Sequence, residues 1–413
     1  MSEHNPTDST PPPAHHHVEL TDQLLAGSFP FDDPEPLYDE LRRTAPVAWN
    51  ETAGFWALST HRDVHAVATD PVTFCSGRGI LVSEIGTTYD SPPTMMHTDP
   101  PDHTRYRSIV QPAFSRRRMA LLAESVAARV DALMVPLLDG ASAEIVSELA
   151  VPLPLQVISD LLGLDHIELS TMHLWSDASI PDSTGLTDER RMELLGEMWA
   201  TLSAVCVERR ANPRDDLISD LVSAGAGGKL DETESLTDAE LAMFLIQLLV
   251  AGNETTRNVI SGGLIALAEH PEQYRRLASD ASLIAPAVEE LLRWTTPVVS
   301  FVRTATCDTE LSGVAIGADD PVLLLYGAAN RDPAEFGPTA ATLDVGRSPN
   351  HHLAFGFGAH FCLGAALARL EVAAVLEALV ARVSAIHLEN EPTRSPSTII
   401  AGVLRAPVTL VLS

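Results

Sequence analysis

The segment 355–364, Phe-Gly-Phe-Gly-Ala-His-Phe-Cys-Leu-Gly, sets one thiol, Cys362, among three aromatic rings and three glycines. Gly356, Gly358 and Gly364 let the backbone turn tightly and approach something flat, and Cys362 stands just before a run of small helix-forming residues. Free N–H groups at a helix N-terminus favour a thiolate over a thiol. A single thiolate, shielded by aromatic rings and fed by backbone donors, is what an axial haem ligand requires. A lone Cys beside a turn would read as an inert buried thiol; this ten-residue pattern argues against that. A second reactive segment, Ala251-Gly252-Asn253-Glu254-Thr255-Thr256, interrupts an apolar helix with small and polar residues. The Thr255 hydroxyl can bond back to the Ala251 carbonyl and bend the helix. An acid beside an alcohol can also relay protons to the outer atom of a bound dioxygen, with Ala251 and Gly252 making room for that molecule.

The Cys362 segment resembles the ligand loop of the cytochrome P450 family of haem-thiolate monooxygenases, whose form is F-x-x-G-x-H/R-x-C-x-G. Separate motifs in the family's order carry the resemblance from about residue 20 to the end. It implies a mainly α fold with a minor β portion, with haem b held between a long central helix and the Cys loop. Cys362 would be the iron ligand, with Phe355 packed beside the sulfur and His360 binding a haem propionate. His103 and Arg107, four apart on one helical face, suit the same carboxylates, although alone they equally fit a solvated basic turn. Arg303 is a third candidate, because its guanidinium fork matches a carboxylate. Glu290 and Arg293 resemble the family's E-x-x-R pair, for which Arg347 is the matching partner in the loop before the haem segment. The resemblance also assigns proton supply to Glu254 and the oxygen-facing hydroxyl to Thr255. Peroxide-specialised members lack this acid–alcohol pair, so reductive activation of dioxygen is expected. No flavin- or nicotinamide-binding segment is visible, and the Gly-rich stretch at 225–228 reads as a loop, so electrons must come from another protein. The substrate-facing positions implied are Leu81, Met95, Val250, Val298, Val299, Phe301 and Ile400. They are apolar, and Arg78 is the one conceivable anchor for a carboxylate. Hydroxylation of a steroid, terpenoid or lipid is therefore expected. Oxidative coupling or C–C cleavage of a biosynthetic intermediate is the alternative, and a non-catalytic haem sensor is a reading from another class.

These groups need a scaffold. Apolar spacing of three or four residues from 105 to 270 predicts a succession of helices. Thr237 three residues before Glu240 is a capping box, and Pro271 ends the run near His270, so one helix of about 50 Å must cross the molecule. Further helices are predicted at 36–43, from Pro286, and at 365–383. A hairpin is expected over 47–59, turning at 52–54, with strands at 298–301, 309–316 and 322–326. Residues 1–17, with histidines at 15–17, read as a flexible lead-in to a single domain at 18–413.

Of 413 residues, 27 are Lys or Arg and 56 Asp or Glu, a net charge of −29. Such a chain is a poor polyanion binder, which excludes a general nucleic-acid function. The apolar share of 45% is that of a globular protein. Cys75, Cys206, Cys307 and Cys362 lie far apart, and no apolar run is long enough to span a bilayer, so a cytoplasmic protein without disulfides is expected. Positive charge concentrates at Arg105, Arg107, Arg116, Arg117 and Arg118. With Arg107 committed to haem, Arg105 and Arg116, Arg117 and Arg118 are expected to receive an acidic ferredoxin, itself supplied by a ferredoxin reductase.

Overall fold

The structure is a computed structural model and describes residues 34–87, 94–139, 142–180, 185–224, 236–395, 397 and 399–413. The expected lead-in at 1–17 and the loop at 225–228 lie outside the described residues. The principal helices are α1 (Glu35–Thr44), α2 (His61–Thr69), α3 (Asp102–Val110), α4 (Arg116–Asp139), α5 (Pro152–Leu162), α6 (Leu169–Ser179), α7 (Asp188–Ala211), α8 (Leu217–Ala224), α9 (Asp238–Glu269), α10 (Pro271–Ser279), α11 (Ile284–Thr295) and α12 (Ala365–Val380).

The long helix α9 begins where the capping box places it. Thr237 Oγ1 accepts the Glu240 N–H at 3.2 Å, and Glu240 Oε2 accepts the Thr237 N–H at 2.8 Å. Its 32 residues span ~48 Å. Helices α5, α6, α7, α11 and α12 all pack against it. One broad apolar core therefore has α9 at its centre, joining Leu245 and Leu249 to Leu161, Met198, Leu291 and Val375. The helix expected to open at Pro286 begins two residues earlier, at Ile284, so the proline lies within its first turn.

Five strands form the main sheet: β1 (Val47–Asn50), β2 (Phe55–Leu58), β3 (Phe74–Cys75), β4 (Ser300–Ala305) and β5 (Pro321–Leu325), in the order β1-β2-β5-β4-β3. The β1–β2 hairpin pairs Val47 with Leu58 and Asn50 with Phe55. Gly54 takes φ +68° in the turn, and Asn50 Oδ1 accepts the Ala53 N–H. The segment predicted as one strand at 309–316 is two, Thr309–Leu311 and Val314–Ile316, folded back at Ser312 and Gly313. Strand β2 runs parallel to β5, Trp56 beside Val322, while β4 runs antiparallel to β5 and pairs Arg303 with Val322. That sheet carries Arg303 toward the Cys362 loop.

Candidate active site

Cys362 lies in the turn that leads into α12. Its N–H donates to Phe355 O at 2.9 Å, closing the ligand loop on itself. Gly358 has φ +70°, and a Cβ there would stand 2.2 Å from Ala68 O, so this turn admits only glycine against α2. The expected helix-terminus donors are present in the N–H groups of Gly364 and Ala365, but burial outweighs them and raises the thiol above its ordinary range. The donors act in the expected direction, and a bound cation would lower the thiol further and complete its ionisation.

Four cationic or ionisable side chains converge here from three segments: His103 and Arg107 from α3, Arg303 from β4 and His360 from the loop itself. The rings of His103 and His360 lie with centroids 4.2 Å apart, tilted by 47°. Burial, followed by Arg303, His103 and Arg107, pushes His360 down to about 3. Burial, then Arg107, lowers His103 as well. His103 Nε2 is buried with no hydrogen-bond partner, and His360 Nε2 lies 3.2 Å from Ser76 Oγ. Arg107 reaches Ala359 O at 3.3 Å, and Arg303 reaches only its neighbour's carbonyl, Val302 O, at 2.7 Å. Positive charge gathered around an orphaned buried donor fits a group that brings its own carboxylates, as the two propionates of haem do.

On α9, most residues from Leu241 to Leu267 are buried, yet Ala251 is exposed and Val250 and Thr255 are half-buried. Thr255 Oγ1 donates to Ala251 O at 2.7 Å, the back-bond expected of a mid-helix Thr. Gly252 turns another way: a Cβ there would meet Ile158 Cδ1 at 3.5 Å. Consecutive helix residues point about 100° apart, so Ala251 lies open while the half-buried Gly252 faces Ile158 of α5 at ordinary contact distance. Glu254 is 2% exposed, and burial raises its carboxyl while Arg257 opposes the shift. Its Oε1 accepts from Ser176 Oγ at 3.0 Å and Asn253 Nδ2 at 3.2 Å. Arg257 NH2 stands 2.7 Å from Oε2 as an ion pair without hydrogen-bond direction. From Arg257 the chain of charges continues to Asp177 Oδ1 at 3.5 Å and on to His173, 3.7 Å from Asp177 Oδ2 and one-third exposed. Ser176, Asp177, His173 and Arg257 were not found from sequence. Arg257, at i+3 from Glu254, was the one local signal.

Glu290, Arg293 and Arg347 meet as expected. Arg293 grips Glu290 through two bonds of 2.7 and 2.8 Å, and Arg347 Nε reaches Glu290 Oε2 at 3.1 Å. Asn330, unremarked in the sequence, accepts the Leu353 N–H and donates to Thr296 Oγ1, tying α11 to the ligand loop.

The apolar positions separate by environment. Leu81, Val250, Val298 and Phe301 are half-buried, and Met95 and Ile400 are buried at 8% exposure. Val298 bridges to Ile400. Val299 belongs to the cluster under α1 with Leu37, Tyr38 and Leu41. Arg78 pairs with Asp319 at the exposed surface, which removes it as a carboxylate anchor. Two members of the expected ferredoxin patch are likewise committed, Arg105 to Glu240 and Arg118 to Asp220. Their positive charge is locally neutralised, so the patch is narrower than the sequence suggests; Arg117 remains exposed.

The family model for Cytochrome P450 matches residues 187–412. The methyl-branched lipid omega-hydroxylase of Mycobacterium tuberculosis is 38% identical over 97% of both chains. The steroid C26-monooxygenase of the same species is 35% identical, over 90% of this chain and 92% of its own. Among solved structures, a cytochrome P450 from Chondromyces apiculatus superposes with a TM-score of 0.83 at 34% identity, covering 93% of this chain and 96% of that one. The match to the family model over more than half the chain, joined to relatives of such identity along nearly its whole length, means that the chain belongs to the cytochrome P450 family.

Proposed function

We propose that this chain is a haem b monooxygenase that hydroxylates a hydrophobic lipid or steroid with dioxygen, drawing electrons from a ferredoxin. The observation that carries the reading is the convergence of His103, Arg107, Arg303 and His360, with an orphaned His103 Nε2, beside Cys362. Bound there, a haem supplies the iron at which dioxygen is reduced and cleaved. The protein's part is to hold and time. Cys362 would hold the iron, and His103, Arg107, Arg303 and His360 would hold the propionates. Thr255 presents a hydroxyl beside the exposed Ala251, and Glu254 is the acid assigned to proton supply. A carboxyl whose pKa is raised by burial holds its proton more readily than an exposed one, which suits proton delivery. The named activities of the lipid and steroid hydroxylase relatives, together with apolar Leu81, Val250, Val298 and Phe301, support a lipophilic substrate. Among the described residues no helix is long and apolar enough to cross a membrane, and we place the enzyme in the cytoplasm. Ferredoxin docking would centre on Arg116 and Arg117 rather than on the whole arginine group.

The test is Thr255→Ala in the reconstituted system with a panel of branched lipids and steroids. Oxygen consumption should continue while product gives way to hydrogen peroxide. Unchanged product yield would overturn the relay, and absence of any hydroxylated product from wild type across the panel would overturn the substrate class.

A further inference from the structure

Behind the ligand loop, on the side away from α9's open face, lies a set of contacts that the proposed function does not use. Arg369, seven residues after Cys362 and about one turn along α12, places its guanidinium over the ring of Phe355 at 4.6 Å. Phe355 is the residue whose carbonyl accepts the Cys362 N–H. The outer side of the guanidinium is held by Glu289 of α11 through two bonds of 2.6 and 2.8 Å. Glu289 is fixed in turn by His352 Nε2 at 3.0 Å, and the Ala354 N–H donates to His352 Nδ1 at 3.2 Å. Because Nδ1 accepts, a neutral His352 carries its proton on Nε2 and donates it to Glu289, so the clamp needs no protonated histidine. The His352 side chain is 3% exposed, Glu289 28% and Arg369 38%.

We propose that Glu289, Arg369 and Phe355 form a positioning relay that sets how strongly the Cys362 sulfur donates to the iron, and hence the potential at which that iron accepts its first electron. The inference rests on Cys362 being the iron ligand, as proposed above. The physical reason is orientation. A bidentate Arg–carboxylate pair is a dipole of fixed direction, and here its positive end lies on the Phe355 ring of the ligand loop while its negative end is held by His352. Cation–π contact holds the guanidinium on the ring. A guanidinium held on the ring of Phe355, whose own carbonyl accepts the Cys362 N–H, stabilises negative charge on that sulfur. A sulfur whose charge is already stabilised donates less to the iron. The reduced state, which carries one more electron and breaks no bond, is then favoured. Partial exposure of Arg369 weakens the field through solvent screening, so the effect is a tuning and not a switch.

The sign of the effect separates this role from simple loop support. In Arg369→Gln the carboxylate of Glu289 is left facing the loop and the potential should fall. In Glu289→Gln the guanidinium is left uncompensated and the potential should rise. Arg369→Lys keeps the charge and should restore most of the wild-type value. The readout is a mediated redox titration of isolated, substrate-free holoprotein without any partner protein, with the carbon monoxide complex recorded alongside. We expect each charge-removing change to move the reduction equilibrium about threefold or more, ~28 mV for one electron, with the thiolate band intact. Unchanged potentials, or shifts of the same sign in both variants, would overturn the relay. If Arg369→Gln does not take up haem, Glu289→Gln alone decides: a rise supports the relay, and a fall or no change overturns it. Failure of the thiolate band in wild type would instead refute the ligand assignment, so the two failures are distinct.

Discussion

Among the described residues, two buried glutamates face an arginine three residues along a helix, and the two pairs could hardly be treated more differently by their surroundings. Glu290 and Arg293 on α11 are wholly buried, and every side of the pair is bonded. Arg293 donates to the carbonyls of Asn330, Ala340 and Thr342, while Glu290 accepts from Arg347, Asn350 and the Asp344 N–H. Glu254 and Arg257 on α9 are nearly as buried, yet Arg257 Nε and the neighbouring Asn253 Oδ1 have no partner, and the pair opens through Asp177 toward half-exposed His173. A saturated pair is fixed in one arrangement and fastens the loop that carries Asp344 and Arg347, ahead of the Cys362 segment. An incompletely satisfied pair retains alternatives, and a group that must take up and release protons needs them.

The largest effect is expected where the pair is saturated. Removing Arg293 as Arg293→Ala leaves a fully buried carboxylate and five bonds undone, a loss of ~3–5 kcal/mol. Expression should yield little haem-loaded protein, and normal haem content in that variant would dissolve the contrast. On α9, Glu254→Gln keeps the acceptor for Ser176 but carries no exchangeable acid. Folding and haem content should survive, while product formation falls ~100-fold. An equal loss of fold in both variants would show the two pairs to be alike.

A third buried glutamate, Glu371 on α12, sharpens the comparison because no arginine meets it. Burial pushes its carboxyl up to about 8, and its Oε2 has no hydrogen-bond partner. In the unfolded chain the group titrates near 4.5, so between these values the folded state holds the extra proton. Stability from this site is complete below pH 4.5 and declines as pH rises toward and through 8. Glu371→Gln should flatten that decline by ~2 kcal/mol, read from denaturation curves across the window. An unaltered slope would mean that Glu371 has a partner in solution. The smallest effect belongs to the exposed pair of Arg118 and Asp220, where Arg118→Ala should cost less than ~1 kcal/mol.

Local patterns were readable where they were determined by neighbours in the chain. Thr237 with Glu240 fixes the start of α9, Thr255 bonds to the carbonyl four residues before it, and Glu290 with Arg293 shares one helix face. The Cys362 loop was legible because its glycines and aromatic residues are consecutive. What escaped was assembled across distance. Ser176 meets Glu254 from another helix, and Arg369 reaches Glu289 over 80 positions. The acidic partners of Arg105 and Arg118 lie more than 100 residues away, so a cluster of arginines in sequence did not remain a cluster of free charge in space.

The central claim is that Cys362 is the ligand around which both glutamate–arginine pairs are arranged, and the carbon monoxide difference spectrum of the reduced protein tests it most directly. Wild type should give the red-shifted band of a haem thiolate, and Cys362→Ser should lose it while other haem features persist. A wild-type spectrum without that band, or a Cys362→Ser spectrum that retains it, would contradict the account.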